Sequence, residues 1–139
     1  MSLILNILWL ILGGLEMALG WWLAALLMAI TLIGLPWVPA AFRMGLYTLW
    51  PFDSELVSRQ LVTGREDLGT GCLGALGNII WFFLAGWWLS LGHLVAALVL
   101  AITIIGIPFA YAHIKLAGAA LFPLGKIVRR KGDAVSPFA

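Results

Sequence analysis

Residues Ala29-Ile30-Thr31-Leu32-Ile33-Gly34-Leu35-Pro36 return almost unchanged as Ala101-Ile102-Thr103-Ile104-Ile105-Gly106-Ile107-Pro108, 72 positions later. The same offset aligns the flanking sequence without a gap. Upstream, Asn6-Ile7-Leu8-Trp9 falls on Asn78-Ile79-Ile80-Trp81, Gly14 on Gly86, Leu19-Gly20 on Leu91-Gly92 and Ala24-Ala25-Leu26 on Ala96-Ala97-Leu98. Downstream, Arg43 falls on Lys115 and Trp50-Pro51 on Phe122-Pro123. Chance similarity between two leucine-rich stretches would align leucines, not Asn, Trp, Thr, Gly, Pro and a cation in order. The chain is therefore a tandem duplication. Trp87-Trp88 departs from the register, standing six positions from the place that matches Trp21-Trp22. The tryptophan pairs read as interface anchors in both copies.

Each copy is too apolar for water. Of 139 residues, 63% are hydrophobic and 10% charged, and the mean hydropathy is +1.09, whereas soluble domains carry about one quarter charged residues. Lipid solvates such side chains directly, provided that backbone polar groups are satisfied within helices or a closed barrel. The long unbroken apolar runs favour helices over alternating barrel strands. The net charge of +2 comes from few cations that do not alternate with exposed aromatics, a pattern that sets topology and does not point to nucleic acid. The single cysteine, Cys72, excludes an intrachain disulfide and a multi-cysteine metal centre, and reads as a packing residue. The N-terminus lacks the basic region of a cleaved signal and reads as a retained membrane segment.

These features predict an all-α membrane protein of two tandem parallel repeats, each a pair of transmembrane or re-entrant helices with a Gly-x-Pro kink. The expected units are residues 1–52 as the first repeat, 53–70 as a polar cytoplasmic connector, 71–125 as the second repeat and 126–139 as a basic tail. Within them the expected spans run Leu3 to Leu19, Trp21 to Gly45, Gly71 to Leu91 and His93 to Ala117, turning near Gly20 and Gly92. Gly34 with Pro36 and Gly106 with Pro108 would kink the second span of each copy, since proline removes a helix hydrogen bond. All eight Lys and Arg residues lie at or beyond the ends of the second spans, so both termini are expected in the cytoplasm and the repeats are expected to be parallel. The Gly13-Gly14 pair offers an alternative in which the first segment is re-entrant or interfacial.

Helical spacing places Asn6 and Asn78 on small, polar faces of the first and third spans, and Thr31 and Thr103 on matching faces of the second and fourth. Such faces serve helix packing in most membrane proteins, and Asn or Thr can hydrogen-bond across them. Their alternative role is to line a permeation path. Glu16, the only acid within an expected span, and His93 are placed at the outer interface. Arg43, His113 and Lys115 follow the Gly-x-Pro motifs. They read as snorkelling residues or, functionally, as a cationic vestibule for an anion. No nucleophile-base pair, carboxylate pair, phosphate loop or metal-ligand spacing occurs, so neither enzymatic activity nor a cofactor is expected.

Six motifs carry a family resemblance: Asn6-Ile7-Leu8, Leu12-Gly13-Gly14, Asn78-Ile79-Ile80-Trp81, Gly86-Trp87-Trp88-Leu89, Ile104-Ile105-Gly106-Ile107-Pro108 and Phe122-Pro123-Leu124-Gly125. With them the chain resembles the YccF family of small bacterial inner-membrane proteins over nearly its whole length. The resemblance implies a bacterial inner membrane and a duplicated domain, and supplies no substrate or catalytic residue. Two functions are therefore carried forward. The first is a homo-oligomeric channel or transport component. The second is a non-catalytic module that assembles with a larger membrane partner. Membrane lipid is the one partner that composition requires.

Overall fold

The computed structural model describes residues 2–67 and 69–130; most of the expected basic tail, 131–139, lies outside the described residues. The first repeat begins with helix α1 (Ser2–Trp9), kinks at Leu10–Gly14 where Leu12 and Gly13 leave helical φ/ψ, and continues as α2 (Leu15–Ile30). A tight turn and a short 3₁₀ segment, Leu35–Trp37, then reverse the chain into α3 (Val38–Leu49). Strand β1 (Ser54–Ser58) and the short helix α4 (Arg59–Thr63) follow. The second repeat reuses the plan as α5 (Gly71–Trp81), a π-helical turn at Phe82–Gly86, α6 (Trp87–Ala101), α7 (Ile107–Leu121) and β2 (Lys126–Arg130). The protein is thus mostly helical, and among the described residues two helical stretches, Ser2–Ile30 and Gly71–Ala101, are long and apolar enough to cross a membrane.

The Gly-x-Pro motifs do not kink a helix. They form the reversals between α2 and α3 and between α6 and α7. Thr31 Oγ1 donates to Met28 O at 2.7 Å and accepts from Gly34 N at 3.1 Å; Thr103 Oγ1 donates to Leu100 O at 2.9 Å and accepts from Gly106 N at 3.0 Å. The hydroxyl ties the last turn of one helix to the first residues of the next. Pro36 and Pro108 sit at the starts of the return segments, where a missing N–H costs nothing because it has no helical partner. Thr31 and Thr103, expected on packing faces, are therefore turn residues, and Gly34, Pro36, Gly106 and Pro108 are not mid-helix kinks.

The reversals expected near Gly20 and Gly92 are absent, because these glycines lie inside α2 and α6. There a side chain at Gly20 would meet Leu89 and one at Gly92 would meet Met17, and Met17 and Leu89 are themselves repeat mates. The glycines mark where the long helices of the two copies approach each other, as small residues do between membrane helices.

A purely helical fold also proves incomplete, since part of the connector and the start of the tail form an antiparallel ribbon. Leu56 pairs with Val128, its own repeat mate, and Glu55 with Arg129 while Val57 pairs with Ile127. Equivalent residues thus exchange partners across the ribbon, as a two-fold relation between the repeats requires. The ribbon ties both repeats together at the end opposite the two reversals.

Candidate functional site

Asn6 and Asn78 do the same work in each copy. Asn6 Nδ2 donates to Phe52 O at 3.1 Å while its Oδ1 accepts from Phe52 N at 3.0 Å. Asn78 treats Leu124 identically, at 3.3 and 3.0 Å. Each amide satisfies the backbone of the residue that leads into a strand, so it pins the start of its repeat to its end. The neighbouring tryptophans repeat the device: Trp9 Nε1 donates to Thr48 O at 2.6 Å and Trp81 Nε1 to Ala120 O at 2.7 Å.

The centre of the molecule breaks this symmetry. Trp21 is fully buried, stacks on Trp81 with centroids 5.4 Å apart and donates from Nε1 to His93 Nε2 at 3.3 Å. It is a core residue, not an interface anchor. His93, expected at the outer interface, and His113, expected in a vestibule on the other side, are both fully buried. Their Nδ1 atoms lie 3.0 Å apart.

The network assigns the tautomers in the neutral pair. His93 Nε2 accepts from Trp21, so His93 carries its proton on Nδ1 and donates to His113 Nδ1. His113 then carries its proton on Nε2, a buried atom with no hydrogen-bond partner.

That nitrogen lies over Gly13, whose φ of +122° breaks the path from α1 to α2. The repeat mates are Ala41 for His113 and Ala85 for Gly13. The larger imidazole in one copy is thus matched by a smaller residue opposite it. Trp9 covers the ring with centroids 4.3 Å apart.

Of the remaining candidates, Glu16 is exposed in the first turn of α2, at the end of the hairpin away from the reversal. Arg43 and Lys115 are exposed on α3 and α7. Arg43 Nε donates to Pro39 O at 3.3 Å, and Lys115 Nζ lies 5.9 Å from the Tyr111 ring centroid. His113 does not join them in a vestibule. Cys72, expected to pack, is exposed.

Two cavities flank the ribbon as repeat mates. One, of about 550 Å³, is lined by Arg43, Met44, Tyr47, Trp50 and, from β2, Lys126 and Ile127. The other, of about 380 Å³, has Lys115, Leu116, Ala119, Lys126 and, from β1, Glu55 and Leu56. The matched positions differ in charge, because Glu55 of the second cavity corresponds to Ile127 of the first.

Nearby cations are already engaged with acids: Arg59 with Asp67 at 2.6 Å, Arg129 with Glu55 at 2.7 Å and Arg130 with Asp53 at 3.9 Å. The Arg59 guanidinium holds the Asp67 carboxyl below the ordinary range, against an opposing desolvation and with help from the Gly69 N–H and the Thr70 hydroxyl. The pairing of Arg43 with Lys126 was not foreseen. Its signal was present, since the 72-residue register continues past Pro51 and Pro123 and sets Ser54 on Lys126.

Comparison with known proteins agrees with the duplication. The YccF model, described as an inner membrane component domain, matches twice, over residues 4–54 and 76–126. Those two stretches stand at the same offset as the internal repeat. The chain is 34% identical to the inner membrane protein YccF of Escherichia coli K12 over 129 residues, covering 92% of this chain and 87% of that protein. The Shigella flexneri protein of the same name matches equally well. No solved structure matches the chain. With both family matches falling on the two structural repeats and a relative this similar along nearly its full length, the chain belongs to the YccF family and carries its domain twice.

Proposed function

We propose that this is an integral protein of the bacterial inner membrane whose two hairpins enter the bilayer from the cytoplasmic side and stop near its middle. It acts there as a non-catalytic assembly module for a larger membrane partner. The location follows the name of its relatives. The observation that carries half-depth insertion is the position of charge relative to the hairpin tips. Leu32, Ile33, Ile104 and Ile105 at the reversals are 69–86% exposed, and no Asp, Glu, Lys or Arg occurs in residues 17–42 or 69–114.

Exposed tips this apolar suit hydrocarbon and not a watery far side. Their backbone is prepared for it: Leu32 N donates to Ala29 O, Ile33 N to Thr31 O, Leu35 N to Leu32 O and Ile107 N to Ile104 O, alongside the threonine bonds. Each of these bonds avoids the cost of a bare peptide group in lipid.

Arg43 and Lys115 supply the depth. Each stands nine residues beyond the glycine of its reversal, about 13 Å along a helix. The hydrocarbon core is about 30 Å thick. Tips at the far surface would therefore leave both exposed cations near the bilayer centre, at about 2.5–3.5 kcal/mol or more each. Cations at the near headgroups place the tips close to the midplane. A chain inserted to half depth offers no path across by itself, and its candidate pathway amides, Asn6 and Asn78, already hold backbone groups.

Cysteine labelling tests the depth. With Cys72→Ser as background, Ile33→Cys and Ile105→Cys are expected to resist a membrane-impermeant maleimide in both intact cells and inverted vesicles. Ser54→Cys on the ribbon is expected to label only in inverted vesicles. Labelling of either tip from the outer face would overturn half-depth insertion.

The alternative, a homo-oligomeric channel or transport component, draws on one observation, the unpartnered His113 Nε2 beside the Gly13 break. It requires several copies around a common path. A defined oligomer whose reconstituted ion flux is lost in His113→Ala would establish it over the assembly reading; no flux for several anions and cations is expected.

A further inference from the structure

We propose that the cavity between α3 and β2 is a specific site for the phosphate headgroup of an anionic phospholipid, one lipid per chain. The inference rests on the reading above only in placing Arg43 at headgroup level. Arg43 from the first repeat and Lys126 from the second both line this space of about 550 Å³, and no carboxylate does so among the described residues. Each carries a full positive charge toward a common anion, and the neighbouring cations of the ribbon already face acids. Trp50 and Tyr47 complete the wall, with the amphipathic rings that favour the boundary between headgroups and acyl chains.

An acyl chain also has somewhere to lie. Phe42 and Leu46 are exposed and stand four residues apart on α3, so they share one face of the helix, and the exposed Trp50 follows just past its C-terminal end beside the cavity. A soluble phosphate would use the cations and ignore that face; a phospholipid uses both. The repeat-mate cavity acts as an internal comparison. It has Lys115 and Lys126, but also Glu55, which repels a phosphate and is matched in the proposed site by the apolar Ile127. The two-fold plan thus yields two similar hollows, of which one is lined by no carboxylate among the described residues.

The test uses the full-length protein in detergent micelles containing equimolar dioleoyl phosphatidylglycerol and dioleoyl phosphatidylcholine, with retained lipid counted by native mass spectrometry. The expected result is one phosphatidylglycerol per chain, preferred over phosphatidylcholine. Arg43→Gln and Lys126→Gln should each weaken retention about fivefold, the effect of one surface cation on an anionic lipid. Ile127→Glu, which copies the residue of the other cavity, should abolish the preference, while Lys115→Gln should leave it unchanged. Thermal midpoints of the variants, which alter half-buried or exposed side chains, check folding; Arg43 and Lys126 are read separately so that one misfolded variant does not decide the matter.

Equal retention of the two lipids, or an undiminished preference in folded Ile127→Glu, would overturn the proposal. Displacement of phosphatidylglycerol by millimolar inorganic phosphate would also overturn it, by assigning the site to a soluble anion. The tip-labelling result is independent, because a headgroup site can fail while the hairpins remain at half depth.

Discussion

Asn6 shows how a residue can be conspicuous in sequence for one reason and used for another. An amide in an apolar stretch suggests a bond between helices or a wetted path, yet it holds the backbone of one turn residue, Phe52, through both its donor and its acceptor. Replacing Asn6 or Asn78 with Leu removes both bonds and leaves a backbone N–H and C=O without partners in a largely dry site. The expected cost is about 1–3 kcal/mol per variant, read as a lower thermal midpoint in detergent. Equal costs at the two positions are expected because the geometry repeats. Unchanged stability with altered flux in liposomes would instead make them pathway residues. The histidines follow the opposite rule, since each occupies a place where the copies diverge, Trp21 against His93 and Ala41 against His113. Divergence inside a duplication is a local signal for a specialised role, and here both divergent sites converge on one buried contact.

At the scale of elements, the reversal made by Thr-x-x-Gly followed by proline is the unit that shapes each hairpin. The Thr31 hydroxyl both donates and accepts within it, and nothing but protein is at hand to replace those bonds if the tip lies in lipid. Thr31→Val keeps the shape and removes the hydroxyl. It is expected to destabilise the protein by about 1–2 kcal/mol, with Thr103→Val behaving alike, and Thr31→Ser is expected to recover most of the loss. A thermal midpoint unchanged in Thr31→Val would mean that the Gly34 N–H finds another acceptor and that the hydroxyl is dispensable. The break in the first repeat is set by a different element-level exchange. Gly13 adopts a left-handed φ and lies against His113, whereas its repeat mate Ala85 continues within helical geometry. The first repeat bends where the imidazole of the second lies against it, and the residue that matches His113 in the first repeat is only Ala41.

The whole molecule is joined at two levels, by the crossing of α2 and α6 at Gly20 and Gly92, and by the ribbon. Across the ribbon Arg129 Nε donates to Glu55 Oε1 at 2.7 Å between half-buried side chains. Glu55→Lys should place like charges opposite each other and loosen the join between the repeats. The pair is partly exposed, so solvent screening limits the expected loss to about 1 kcal/mol. Glu55→Lys combined with Arg129→Glu should restore the charge match and recover stability, measured as a double-mutant cycle in detergent at low salt. Failure of the exchange to recover any of the loss would show that the backbone pairing holds the ribbon without help from this pair.

The sequence by itself determined the environment, the duplication and the segregation of charge, because each is a property of composition or of order along the chain. It also picked out Asn6, Asn78, Thr31 and Thr103 as paired positions of consequence, though not what they bond. Where the chain reverses was a matter for tertiary structure. A glycine serves equally well in a turn and at a close helix crossing, and only the packing of α2 on α6 distinguishes Gly20 from Gly34. The meeting of His93 with His113 likewise depends on the reversal falling between them, at residues 102–106, and not just before His93. The ribbon needed the fold for the same reason: two five-residue segments 72 positions apart have little propensity to pair until the helices bring them side by side. Their juxtaposition also places Lys126 of one repeat beside Arg43 of the other, a neighbourhood that exists only once the two copies are related by a two-fold axis.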